Sequence, residues 1–181
     1  MTAILWEFSE GGSELCVLEQ ADRGWRLHGT ALLVAAGAPV AIRYAVNVSR
    51  SWVTEDVDVA VSFPGGEVRK PFEVGALWSG EERPPEFRDC KDVDLGFTPA
   101  TNTLPIRRLA LDVGEEADVA VVWLRWPELR VERLEQRYAR LAKDRYRYSS
   151  GDFSAELVVD EQGLVVDYEG LRRAIAHASG K

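Results

Sequence analysis

Apolar and polar residues alternate along most of this chain with a period of two. In residues 40–48, Val40, Ile42, Tyr44, Val46 and Val48 fall on one side, against Ala41, Arg43, Ala45 and Asn47 on the other. Successive side chains of a strand point to opposite faces, so this is the pattern of a half-buried strand. Val57, Val59, Val61 and Phe63 repeat it against Asp56, Asp58, Ala60 and Ser62, and Pro64-Gly65-Gly66 turns the chain into a hairpin partner at residues 67–72. Similar runs predict strands at 3–8, 14–19, 25–34, 103–111, 118–124, 153–160 and 164–168. Gly-Gly, Asp-Arg-Gly, Val-Gly-Glu-Glu and Glu-Gln-Gly links between them carry turn chemistry.

Helical spacing is scarce. Val131, Leu134, Tyr138 and Leu141 fit a helix, but Glu132, Leu134, Gln136 and Tyr138 also alternate, and a strand is the preferred reading. Residues 169–178 are expected to form a short helix, and residues 79–103, with Pro84-Pro85 and Pro99, a long ordered loop. Many short strands joined by tight turns predict a mostly β chain, an antiparallel barrel-like or strongly curved wrapped sheet, built as one domain over residues 1–181. Residues 14–20 (ELCVLEQ) match residues 156–162 (ELVVDEQ) at five of seven positions, which a duplicated half-sheet would produce.

Composition narrows the function. The chain carries 22 Lys+Arg against 30 Asp+Glu, a net charge of -8, and so repels phosphate backbones and anionic bilayers; no nucleic-acid partner is expected. Two histidines and two cysteines in no CxxC or HExxH spacing argue against a zinc site, and no cofactor is expected. Cys16 and Cys90 read as buried thiols rather than a disulfide framework. The opening MTAILWEFSEGGSE lacks the basic start of a signal peptide, and the most apolar run, 31–42, is too short to span a bilayer, so a cytoplasmic protein without integral membrane association is expected. Neither His28 nor His177 lies in a motif. The seven basic residues of 130–147, offset by Glu128, Glu132, Glu135 and Asp144, read as a solvated strand face.

The segment Asp92-Val93-Asp94-Leu95, followed by Thr98-Pro99-Ala100-Thr101-Asn102-Thr103-Leu104-Pro105-Ile106-Arg107-Arg108-Leu109, is the most distinctive stretch. With residues 48–54, Leu77-Trp78, Glu135-Gln136-Arg137-Tyr138, Tyr146-Arg147-Tyr148 and 164–168, it resembles a bacterial family labelled as glycolipid-binding, formerly a domain of unknown function. The resemblance implies an antiparallel barrel-like or wrapped-sheet fold likened to periplasmic lipoprotein carriers, with an internal apolar cavity and a lipid or glycolipid ligand. It also implies Trp52 and Trp78, at strand ends, as cavity walls, and brings Gln136 and Tyr138 into the candidate site.

Read for chemistry, the same segment offers Asp92 and Asp94 on one face of an extended chain, hydrogen-bonding groups at Thr98, Asn102 and Thr103, then the adjacent Arg107 and Arg108. Hydroxyls and an amide suit a sugar, and an arginine fork suits a carboxylate or phosphate, so these residues form a candidate polar collar over the cavity. In the competing arrangement, Asp94 pairs with one of the arginines as an internal ion pair and the Thr and Asn side chains satisfy loop backbone. The expected function is binding of an amphipathic small molecule, a glycolipid or lipid. The alternatives are an enzyme using Asp92 or Asp94 as acid or base in that cavity, and a protein-interaction module. An enzyme calls for a carboxyl of raised pKa facing the cavity, an interaction module for no cavity at all.

Overall fold

The computed structural model describes residues 1–72 and 84–180, with the backbone alone at 68–72; Trp78 lies outside the described residues. The described residues are mostly β with little helix. The strands are β1 (Thr2–Phe8), β2 (Ser13–Ala21), β3 (Gly24–Ala35), β4 (Ala38–Ser49), β5 (Thr54–Phe63), β6 (Gly66–Phe72), β7 (Asp92–Leu95), β8 (Glu116–Arg125), β9 (Arg130–Ala142), β10 (Arg145–Ser150), β11 (Phe153–Val159), β12 (Val165–Tyr168) and β13 (Arg172–Ser179). The chain divides into two compact units, Met1–Arg83 with Arg173–Lys181, and Pro84–Arg172. No described helix is long and apolar enough to cross a membrane.

In the first unit the strand order is β6-β5-β4-β3-β2-β1-β13, antiparallel from β1 to β6. The alternation of β4 holds throughout, with Val40, Ile42, Tyr44, Val46 and Val48 all buried. Cys16, Gly29 and Tyr44 lie in one cross-strand row. A Cβ on Gly29 would stand 2.7 Å from the Tyr44 hydroxyl and 2.6 Å from the Leu15 carbonyl, so the row closes only over a glycine. The Tyr44 hydroxyl donates to the fully buried Glu14 carboxylate.

In the second unit the order is β12-β11-β10-β9-β8-β7, antiparallel except for the parallel pair β7 and β8. A parallel neighbour needs a crossover, supplied by the helix α1 (Thr103–Leu109). Its core is made by Val119, Val121, Tyr138, Tyr146, Tyr148 and Leu157, with Ile106 of α1 packed among them.

Three expectations change, and the fold class narrows to the second of its two forms, the wrapped sheet. The strand at 103–111 is instead α1: Pro105 donates no ladder hydrogen bond but is tolerated in a first helical turn, and Ala110, left-handed at φ 48°, ends the helix with its N–H on the Ile106 carbonyl. The loop at 79–103 contains a paired strand, β7, in its described part. Residues 169–178 hold β13 rather than a helix; this strand flanks β1, whose backbone groups would otherwise be an open edge. The barrel is not closed, because in neither unit do the outermost strands pair with each other; β7 and β12 are only four residues each and offer little ladder to close on. The curved, antiparallel-dominated open sheet is the correct form of the fold.

Candidate functional site

The second unit contains a cavity of about 460 Å³. Its floor is the β7 end and the loop after it. Asp94 is paired in register with Trp123 of β8, so both project from the same face, and Leu134 comes from the neighbouring β9. Gly96 makes the close approach possible: its N–H donates to the Leu124 carbonyl, and a Cβ there would lie 2.9 Å from the Trp123 indole nitrogen. Phe97, Thr98, Pro99 and Asn102 continue the floor. Tyr148 and Ser150 of β10, Phe153 of β11 and Tyr168 of β12 form the opposite wall, and the turn after Tyr168 brings Leu171 and Arg172 to the rim.

A hydrogen-bonded chain fixes the floor. Gln136 Nε2 donates to Asp94 Oδ2 at 2.5 Å, and the Tyr138 hydroxyl donates to Asn102 Oδ1 at 2.7 Å, with Gln136 Oε1 at 3.4 Å. Asn102 Nδ2 donates to the Pro99 carbonyl at 3.0 Å. The loop backbone is held by hydroxyls: the Ala100 N–H donates to Thr98 Oγ1 and the Leu95 N–H to Thr101 Oγ1. Burial pushes the Asp94 carboxyl up to about 6, with the Gln136 amide opposing it. Burial also raises the hydroxyls of Tyr138, Tyr148 and Tyr168, and the Asp94 charge adds to the rise at each.

A family model described as "Putative glycolipid-binding" matches residues 3–174. The chain belongs to that family. A crystal structure of a DUF1089 family protein from Pseudomonas aeruginosa is similar, with a TM-score of 0.73 and 28% sequence identity over 87% of this chain and 90% of that one. A search of curated proteins returns no match.

In this family member the distinctive central stretch divides between the cavity and its scaffold. Asp94, Thr98 and Asn102 line the cavity, while Gln136 and Tyr138 stand behind them as the hydrogen-bonded support. Asp92 shares the strand face of Asp94 but does not line the cavity. It is fully buried and gripped by Arg108, whose Nε lies 3.1 Å from both oxygens and whose Nη2 lies 2.6 Å from Oδ2. The internal ion pair therefore forms, with Asp92 rather than Asp94. Burial raises the Asp92 carboxyl and the arginine opposes the rise.

Arg107 does not line the cavity either; its stem packs at Gly163, where a Cβ would come within 3.0 Å of Cδ. Thr103 is fully buried at the start of α1. Trp52 belongs to the first unit, where it is buried and stacks on Trp25 at 5.2 Å. The basic run of β9 and β10 is neutralised on the surface, Arg137 by Asp118 and Glu116, Arg145 and Arg147 by Glu156.

The wall residues Trp123, Leu134, Phe153 and Tyr168 were not singled out from sequence. Trp123 and Leu134 occupy the inward parity of β8 and β9, the same parity as Val121 and Gln136, and that was the available signal. Among the described residues, no group of three or more His, Cys, Asp or Glu side chains is arranged to hold a metal ion.

Proposed function

We propose that the cavity of the second unit binds one amphipathic small molecule, in keeping with the description of the family, with the polar headgroup against Asp94 and the apolar part along Phe97, Leu134 and Leu171. The observation that carries this reading is a cavity walled by aromatic and aliphatic side chains around a single half-buried carboxylate whose orientation is fixed by Gln136. Aromatic faces with a few placed polar groups are the usual lining of a small-molecule site. Its volume, about 460 Å³, suits a headgroup and a short length of chain rather than a whole lipid.

Titration with octyl glucoside below its micellar concentration tests this. Saturable change in tryptophan emission is expected, reduced in Trp123→Phe and lost when Leu134→Trp fills the cavity. Emission that saturates in the parent protein with neither octyl glucoside nor a charged amphiphile of equal chain length would remove the reading. The enzyme alternative keeps one supporting observation, the Asp94 carboxyl raised to about 6 and facing the cavity. Asp92, the natural second carboxylate, is tied to Arg108, so a two-carboxylate mechanism has no partner there. The existence of the cavity weighs against a pure interaction module.

A further inference from the structure

The wall of the cavity has a shape of its own. Tyr148, Phe153 and Tyr168 lie pairwise 6.0, 6.3 and 6.4 Å apart between ring centroids, inclined at 59°, 70° and 56°. No pair is stacked and all three rings line the cavity, so they form a tilted aromatic cup instead of one broad stacked face. A flat sugar ring prefers one broad aromatic face, whereas a compact cation is attracted by several faces at once, because the face of each ring is the negative end of its quadrupole.

The same cavity holds the Asp94 carboxylate. One of its oxygens accepts from Gln136, and the other has no hydrogen bond to any described residue. The arginines of α1 give it no counter-charge: Arg108 is held by Asp92, and Arg107 does not line the cavity. Arg172, at the rim, directs Nη1 to the Leu171 carbonyl at 2.9 Å. A neutral headgroup would leave the half-buried carboxylate without a counter-charge, and an anionic one would be repelled by it.

The geometry points to an amphiphile bearing a protonated amine as the ligand class, its ammonium group seated against Asp94 inside the cup of Tyr148, Phe153 and Tyr168. This rests on the reading of the cavity as an amphiphile site and names the headgroup chemistry that the site selects. An amino sugar and a simple alkylamine share that chemistry.

Three probes of equal chain length separate the possibilities at pH 8, where both Asp94 and an alkylamine are charged: octylamine, octyl glucoside and octyl phosphate, each below its micellar concentration, measured by calorimetric titration. Octylamine is expected to bind at least tenfold tighter than octyl glucoside, with octyl phosphate weakest. Asp94→Asn should reduce octylamine to the level of octyl glucoside while changing octyl glucoside less than about threefold. The protein's overall negative charge, nearly unchanged in this variant, then cannot account for the preference. Tyr168→Leu, which keeps the carboxylate, should weaken octylamine about fivefold, and thermal unfolding of both variants checks that they fold.

If octyl glucoside or octyl phosphate binds as tightly as octylamine, the ammonium assignment is overturned while amphiphile binding stands. An amine preference that survives Asp94→Asn also overturns it. Saturable binding of none of the three overturns both readings.

Discussion

Two aspartates two residues apart, of the same strand and the same face, have opposite roles because of what meets them. Asp94 meets an amide, and its burial is uncompensated. A carboxyl that is protonated more readily in the folded than in the unfolded chain makes its full favourable contribution at low pH, and that contribution is lost as pH rises through about 6. Above that pH, holding the charged form costs about 2 kcal/mol once screening through the open cavity mouth is allowed for. Asp94→Asn is therefore expected to stabilise the protein by about that amount at pH 8 and hardly at all at pH 4, as read from urea unfolding. Equal gains at both pH values would mean that the carboxyl carries no such burden. Asp92 meets a guanidinium in bidentate contact. Arg108→Ala strands a fully buried carboxylate and is expected to lower stability by about 3–5 kcal/mol, which denaturant unfolding of the variant against the parent protein measures. From sequence, the grouping of Asp92, Asp94, Arg107 and Arg108 was visible. Which carboxylate took which partner was not, because that depends on the segment carrying the arginines being helical.

Elements with a clean period of two were legible: β4 and β5 follow from their valines, and the preference for a strand at 130–142 matches β9. The misread elements share one physical cause, which is that local pattern was outweighed by a neighbour. Residues 103–109 alternate no better than they spiral, and Thr103, Leu104, Pro105 and Ile106 are buried in succession, so burial erases the period that would identify them; Pro105 was the one residue that spoke against a strand. The segment at 172–179 has few buried side chains to form a pattern, and it is a strand because β1 offers it an edge. The cavity lining is distributed over the strands β7 to β13 and the loop after β7, so no short motif announces it. Gly29, by contrast, is legible only in three dimensions. Gly29→Ala is expected to cost about 1–3 kcal/mol, since the nearest clash is with the Leu15 backbone and cannot be relieved by a rotamer change. Alanine at the neighbouring exposed Thr30 should cost far less, and chemical denaturation of the two variants compares them.

At the scale of the whole chain, the turn-rich β pattern was a good guide to class, and arginines of the basic stretch are matched by carboxylates of β8 and β11. The boundary between the two compact units falls at Arg83 and Pro84, within the stretch whose prolines read as a loop rather than as a linker. A ligand that binds only the folded protein adds RT ln(1 + [L]/Kd) to its stability. An amphiphile at a hundred times its Kd is accordingly expected to add about 2.7 kcal/mol and raise the melting temperature, and Leu134→Trp should abolish the rise. Both native thiols are completely enclosed, and burial raises that of Cys16 far above its usual range, so the fold keeps both away from an alkylating reagent. A single cysteine placed at Leu171, on the cavity rim, would thus be the one site that a maleimide dye reaches, and the native chain serves as it stands as the background for watching a ligand arrive.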